Sequence, residues 1–387
     1  MYHIHVEFDD GDGAPRRDAL RDFGFDDSFL RDYSQRAETG DLPARVVEVQ
    51  RGRYGAITRG IDGGLVEIEA IASGRLSYET ASGAELPAVG DWVVVRANPN
   101  GPAAIKSVLP RKTVFKRKAP GDAEYDRVEA QVLAANVDTA FIVTAAGHDF
   151  NLRRIERYLA LARESGVEPV LVVTKSDLAE DPDSLVAQAN ALGRGLSCFG
   201  VCAPEGKGLE RFAPWLEPGR TIVLLGSSGA GKSTLLNALA DEKLAKTKEV
   251  RADDQRGRHT TTHRELFKLA SGALIIDSPG MRELQLWASE ETVDASFEDI
   301  AELAAACRFG DCAHAAEPGC AVRAALESGE LSAARYASYK KLMREAAYLA
   351  MREDSSLERA EAQKWKAINK SMRGYSKERR SIQGKSR

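Results

Sequence analysis

Hydrophobic positions change their spacing several times along the chain, and each change predicts a different kind of element. In residues 1–43, Leu20, Phe23, Phe25, Phe29, Leu30 and Tyr33 stand among acids and predict a short helical arm. From Ala44 the pattern shortens to β-like runs between turns: Arg45 to Val49, Tyr54 to Ile57, Leu65 to Glu69, Gly90 to Val95 and Ala104 to Val108. About five strands in roughly 65 residues suit a small closed barrel of the oligonucleotide-binding type, assigned to residues 44–118, and the pattern alone equally suits any small β-barrel with no ligand. Strands and helices then alternate over 119–290, as Thr139 to Val143, Leu152 to Ser165, Pro169 to Val173, Leu185 to Leu192, Thr221 to Leu225 and Ala273 to Asp277. Such alternation predicts a parallel α/β sheet. After Trp287 the chain turns helical and rich in small residues, giving a unit at 291–345 and a helical, basic tail at 346–387, with a helix break near Ser328-Gly329.

Composition narrows the picture. A chain of 387 residues with 43 % hydrophobic content is too long for one ordinary domain and can build two or three cores. No apolar run approaches the roughly 18 residues a membrane helix needs, and acids stand where a secretory signal would be basic, so a cytoplasmic protein without a membrane partner is expected. The net charge of −4 conceals a strong asymmetry. Residues 1–41 carry eleven acids against five arginines, whereas residues 364–387 carry nine Lys or Arg against Glu378 alone. That tail and the basic run Arg111 to Lys118 are expected to contact RNA phosphates; a solvated face and a disordered end are the plainer readings.

The densest chemistry follows the apolar run Thr221 to Leu225. Gly226-Ser227-Ser228-Gly229-Ala230-Gly231-Lys232-Ser233-Thr234 reads as a phosphate loop between strand and helix. Its glycines let successive N–H groups converge on one anion, Lys232 reaches the β- and γ-phosphates, and Ser233 ligates magnesium. Thr174-Lys175-Ser176-Asp177 ends another apolar strand, where a carboxylate can accept from guanine N1–H and N2–H; Gly200 to Ala203 could supply N–H groups to the base oxygen. Downstream, Arg256 to His263 forms a polar loop offering Thr261 to the metal, and Asp277-Ser278-Pro279-Gly280 places Asp277 at magnesium and the Gly280 N–H at the γ-phosphate. Met281 stands where many GTPases place the glutamine that orients water, so His259 is expected to act as the catalytic group, with His263 as runner-up. Cys307, Cys312, His314 and Cys320 offer three thiolates and an imidazole within 14 residues, enough for one closed, structural zinc site; unlinked reduced cysteines are the alternative.

Base motif, phosphate loop and switches therefore occur in an order that requires a circularly permuted fold. With Gly257-Arg258-His259-Thr260-Thr261-Thr262, an N-terminal barrel and a following Cys/His cluster, residues 44–345 resemble the ribosome-small-subunit-dependent GTPase family (RsgA/YjeQ). The resemblance implies a monomeric hydrolase of GTP to GDP, using magnesium with the nucleotide and the same four zinc ligands. It further implies action in late maturation of the small (30S) subunit, contact with its rRNA, and stimulation by it. The family usually has Asn where this chain has Thr174, which is expected to remove an amide that helps bind the base and brace the phosphate loop. Two other classes stay open: an RNA-binding assembly factor in which nucleotide only switches conformation, and a P-loop ATPase.

Overall fold

The computed structural model describes residues 18–50, 52–80, 83–118, 130–240, 264–277 and 288–351. Two short helices open it, α1 (Asp18–Arg21) and α2 (Asp27–Arg36), the second capped by the Asp26 carboxylate on the N–H groups of Ser28 and Phe29. Five strands follow: β1 (Asp41–Gln50), β2 (Arg53–Arg59), β3 (Leu65–Ala72), β4 (Trp92–Arg96) and β5 (Ala103–Val108). They pair in the order β1-β2-β3-β5-β4, and β4 returns to β1, which closes the barrel. Alternate residues fill it, among them Val46, Ala56, Val93 and Ile105, each 0 % exposed. A short helix α3 (Gly74–Glu79), capped by the Ser73 hydroxyl, bridges β3 and the β5 side.

Two cations of the basic run after the barrel, Arg111 and Lys112, are engaged by carboxylates within the fold. Val114–Lys118 is a strand, β6, which leaves the barrel and pairs antiparallel with β7 (Ala130–Ala135). Arg111 is spent inside, with Nε and Nη2 donating to the buried Asp91 carboxylate at 2.8 and 2.7 Å and further bonds to the Ala84 and Leu86 carbonyls. Lys112 pairs with Asp26 and lies over the Phe29 ring, while Phe115 is core.

That Lys112–Asp26 pair ties the arm to the barrel, where Phe25 and Phe29 pack on Trp92. Burial would raise the Asp26 carboxyl, but Lys112, the Ser28 hydroxyl and the Phe29 N–H outweigh it and bring it from 3.8 down to about 2. A lowered folded-state value stabilises above pH 4 and is lost as pH falls through the folded value, so arm docking should weaken between about pH 4 and pH 2. Because the Asp26 side chain is 53 % exposed, solvent screening limits the effect to about 1 kcal/mol or less. Trp92 fluorescence during acid titration should show this step in the parent and lose it in Asp26→Asn; an identical titration in both would refute it.

The remaining strands are β8 (Thr139–Ala145), β9 (Glu168–Thr174), β10 (Ser197–Val201), β11 (Thr221–Leu225), β12 (Arg264–Lys268) and β13 (Leu274–Asp277). Their order is β10-β9-β8-β11-β13-β12, parallel except for β12. Both faces are covered, so strands such as β8 are buried along their whole length. Helix α4 (Leu152–Glu164), capped by Asn151, follows β8; α5 (Pro182–Asn190), capped by Asp181 with proline in its first turn, follows β9; α6 (Lys232–Ala240) follows β11. The sheet continues into the barrel, because β12 pairs antiparallel with β1 at Glu48↔Glu265 and Val49↔Arg264.

Helices α7 (Glu290–Ser296), α8 (Glu298–Ala305), α9 (Ala321–Ser328) and α10 (residues 333–351) form the C-terminal unit around Phe297, Ile300, Val322 and Leu342. Gly329, at φ +81°, makes the break expected near Ser328-Gly329. The unit docks on α4: Arg157 forms a two-pronged pair with Glu345 at 2.7 and 2.8 Å, and Arg335 joins Glu156 to Asp299. The basic tail 364–387 lies outside the described residues. No helix among the described residues is long and apolar enough to cross a membrane.

Candidate functional site

Three sheet strands end side by side at one edge, β9 at Thr174, β8 at Ala145 and β11 at Leu225, and the candidate residues gather there. Gly226 leaves β11 at φ +147°; a Cβ on it would lie 2.2 Å from the Val143 carbonyl oxygen, so the loop rests directly on β8. Gly229 and Gly231, at φ +85° and +88°, complete the curl before α6 begins at Lys232. Lys232 Nζ donates to the Gly226 carbonyl at 2.7 Å and to that of Ser227, placing the ammonium inside the curl. Ser233 and Thr234 occupy the first turn of α6, whose N-terminal dipole favours an anion.

Thr174 and Lys175 reach across β8 to this loop. The Thr174 hydroxyl donates to the Ala230 carbonyl at 2.6 Å, and Lys175, at φ +53°, places Nζ 3.1 Å from the Gly229 carbonyl. The expected loss of bracing with threonine in place of asparagine is therefore corrected: a buried hydroxyl braces the loop from the same position. Ser176 and Asp177 open a single 3-10 turn, leaving Asp177 exposed beside the loop. Cys202, at the end of β10, is 2 % exposed; its hydrogen bond to the Asp177 carboxylate, followed by burial, raises the thiol above its ordinary value. Cys202 lies in the loop expected at the base, with its Sγ and the Asp177 and Glu205 carboxylates within 4.8 Å of one another.

Asp277 closes β13 next to β11, which sets its backbone beside the phosphate loop; its side chain lies outside the described residues, as do Thr261, Gly280, His259 and His263. One contact that the sequence reading missed is Asp149. Its Oδ1 accepts from Ser227 Oγ at 2.6 Å and from Arg154 Nη1 at 2.5 Å, and Oδ2 accepts the Ala145 N–H at 3.1 Å. Burial opposes ionisation, but these donors hold the carboxyl below its usual range. The signal was available, since Asp149 follows an apolar strand at the same sheet edge.

A second cluster lies in the C-terminal unit. His314 Nδ1 is 3.5 Å from Cys307 Sγ and 3.4 Å from Cys320 Sγ, the two sulfurs are 3.9 Å apart, and Cys312 completes a set within 4.8 Å. Zinc bonds of about 2.3 Å to sulfur and about 2.0 Å to nitrogen give tetrahedral edges of roughly 3.8 and 3.5 Å, so the donor set fits. His314 reaches it from a left-handed φ of +57°. Glu317, which sequence reading also missed, shapes the ligand loop by accepting from the N–H groups of Ala313, Ala315 and Ala316. Cys320 caps α9 through the Arg323 N–H.

Known proteins are similar to this chain. A family model described as RsgA GTPase matches residues 108–287, and one described as 50S ribosome-binding GTPase matches residues 221–378. The small ribosomal subunit biogenesis GTPase RsgA of Opitutus terrae is 49 % identical over 364 residues, covering 92 % of this chain and 97 % of the relative. The RsgA 1 protein of Oceanobacillus iheyensis is 45 % identical, covering 88 % and 97 %. YjeQ from Thermotoga maritima aligns with a TM-score of 0.57 at 25 % identity over 79 % of this chain and 99 % of its own. YloQ, a circularly permuted GTPase, aligns at 0.57 and 26 % identity over 81 % and 98 %.

Proposed function

Because the chain belongs to the RsgA GTPase family, we propose that it hydrolyses GTP to GDP in maturation of the small ribosomal subunit, acting as a cytoplasmic monomer that the subunit stimulates. The observation that carries the reading is the closure of the Thr174-Lys175 segment onto the Gly226–Thr234 loop, at 2.6 and 3.1 Å, with Asp177 exposed beside it. One edge thus offers a carboxylate for the base and a cationic curl for phosphates.

The loop N–H groups and Lys232 bind and orient the β- and γ-phosphates. Lys175 is assigned to the face of the base, and Asp177 to accept from guanine. Ser233 and Asp277 would hold magnesium, which when bound with GTP neutralises charge between the β- and γ-oxygens. His259 is assigned to orient water, because the Met281 thioether cannot, with His263 second. Zinc at Cys307, Cys312, His314 and Cys320 would be structural, since four protein donors leave no open position. The nine cations of 364–387 are assigned to rRNA phosphates.

Turnover of GTP and ATP with purified small or large subunits tests this reading. Small subunits should raise GTP turnover many-fold and large subunits should not, while Asp177→Asn should lower the preference for GTP over ATP about tenfold or more. Small-subunit binding without faster turnover would favour a nucleotide-switched assembly factor. Equal use of both purines by the parent would favour an ATPase.

A further inference from the structure

The Asp149 carboxylate has no place in the nucleotide chemistry described above, yet it is the side chain that fixes the second residue of the phosphate loop. Ser227 directly follows Gly226, the point at which the backbone turns off β11. Its hydroxyl donates to Asp149 Oδ1 at 2.6 Å, shorter than the usual O–H···O bond and in keeping with an ionised acceptor. The carboxylate is itself held by two further donors, Arg154 Nη1 sharing Oδ1 and the Ala145 N–H holding Oδ2, and the Thr144 hydroxyl steadies the backbone beneath it by donating to the Asp149 carbonyl at 3.2 Å. Arg154 sits in the first turn of α4, so the anchor belongs to rigid elements on both sides. Arg154 also offsets the negative charge that Asp149 would otherwise present to a triphosphate.

The loop is therefore gripped at two places, from the end of β9 and from the connection between β8 and α4. Thr174 holds its far side through the Ala230 carbonyl, and Asp149 holds its near side through Ser227. A loop that binds through convergent backbone N–H groups needs those groups pre-set, because each one ordered only on binding subtracts from affinity. We propose that Asp149 is a positioning residue for triphosphate binding, acting through Ser227 to hold the phosphate loop in its binding curl.

The assignment rests on the nucleotide-binding reading above, and a double-mutant cycle separates the two. GTP and ATP affinities would be measured for the parent, Asp149→Ala, Ser227→Ala and the double variant, with melting temperatures recorded in parallel. Each single variant is expected to weaken both nucleotides about tenfold, leaving the GTP-over-ATP ratio unchanged, because both ligands carry the same triphosphate. In the Ser227→Ala background, Asp149→Ala should cost almost nothing further. Additive losses, or a loss confined to melting temperature, would overturn the positioning role. If Asp149→Ala does not fold, Ser227→Ala decides alone, since it leaves the carboxylate with Arg154 and the Ala145 N–H; unchanged GTP affinity there would overturn the proposal. A parent that binds neither nucleotide would instead sink the underlying reading.

Discussion

Gly226→Ala should abolish measurable nucleotide binding while leaving the fold intact. Two independent costs coincide at this position. A φ of +147° is a conformation that side-chain-bearing residues rarely adopt, and the added methyl would sit 2.2 Å from the Val143 carbonyl oxygen. That oxygen belongs to β8, which is buried along its whole length between β9 and β11, so the loop must yield and not the sheet. Once the curl is displaced, its N–H groups no longer converge, and a loss of affinity greater than about a hundredfold is expected, equivalent to at least about 2.7 kcal/mol. Gly229→Ala supplies the control: nothing lies within 4 Å of its added methyl, so only the backbone strain at φ +85° is incurred, about 1 kcal/mol and roughly fivefold. Calorimetric titration with GDP, with circular dichroism to confirm folding, would measure both. Parent-like affinity in Gly226→Ala would contradict the loop geometry.

Loss of metal from the Cys/His cluster should be the most damaging change to the C-terminal unit. Structural zinc contributes roughly 10 kcal/mol or more to the folding of zinc-finger peptides, and here it would add to a core built around Phe297, Ile300, Val322 and Leu342. Here the ligands join the end of α8 to the start of α9, because Cys307 lies just past the one and Cys320 caps the other. Cys312→Ser or His314→Ala should therefore release one zinc per chain and open residues 288–351 to proteolysis. The interface on α4 should follow: Glu156 is 2 % exposed, and losing Arg335 would leave that carboxylate buried with Arg153 alone. Elemental analysis and hydrogen exchange report the two halves of this result. Protein purified without metal and protected throughout 288–351 would rule it out.

Legibility in the sequence followed the range over which each interaction acts. The phosphate loop could be read because nine consecutive residues and the apolar strand before them hold its chemistry. The barrel strands showed themselves as short runs between turns, and the arm by its spaced aromatics, although nothing in residues 18–36 announced that Phe25 and Phe29 would close against Trp92. The grip of Thr174 on Ala230 spans 56 positions, and the change from the usual asparagine suggested a loss of bracing that the hydroxyl makes good. Arg111 was misread for a related reason. Its charge is visible in sequence, but the buried Asp91 that consumes it stands 20 residues earlier on a different element. Asp149 and Glu317 carry no motif: Asp149 is marked only by its place after an apolar strand, its Ser227 partner lying 78 positions away, and Glu317 acts on backbone N–H groups within its own loop.

The seam between β12 and β1 has a consequence for how the chain can be divided. Within its own domain β12 is an outermost strand, and a bare outermost strand presents unpaired N–H and C=O groups that recruit other chains into fibre-like or swapped assemblies. The barrel shields part of that edge through Glu48↔Glu265 and Val49↔Arg264. The shield is short and includes two like charges directly opposite one another, a pairing that weakens association. The barrel thus covers part of an edge that would otherwise be bare, and a fragment that begins after β5 would have to remain soluble without that cover.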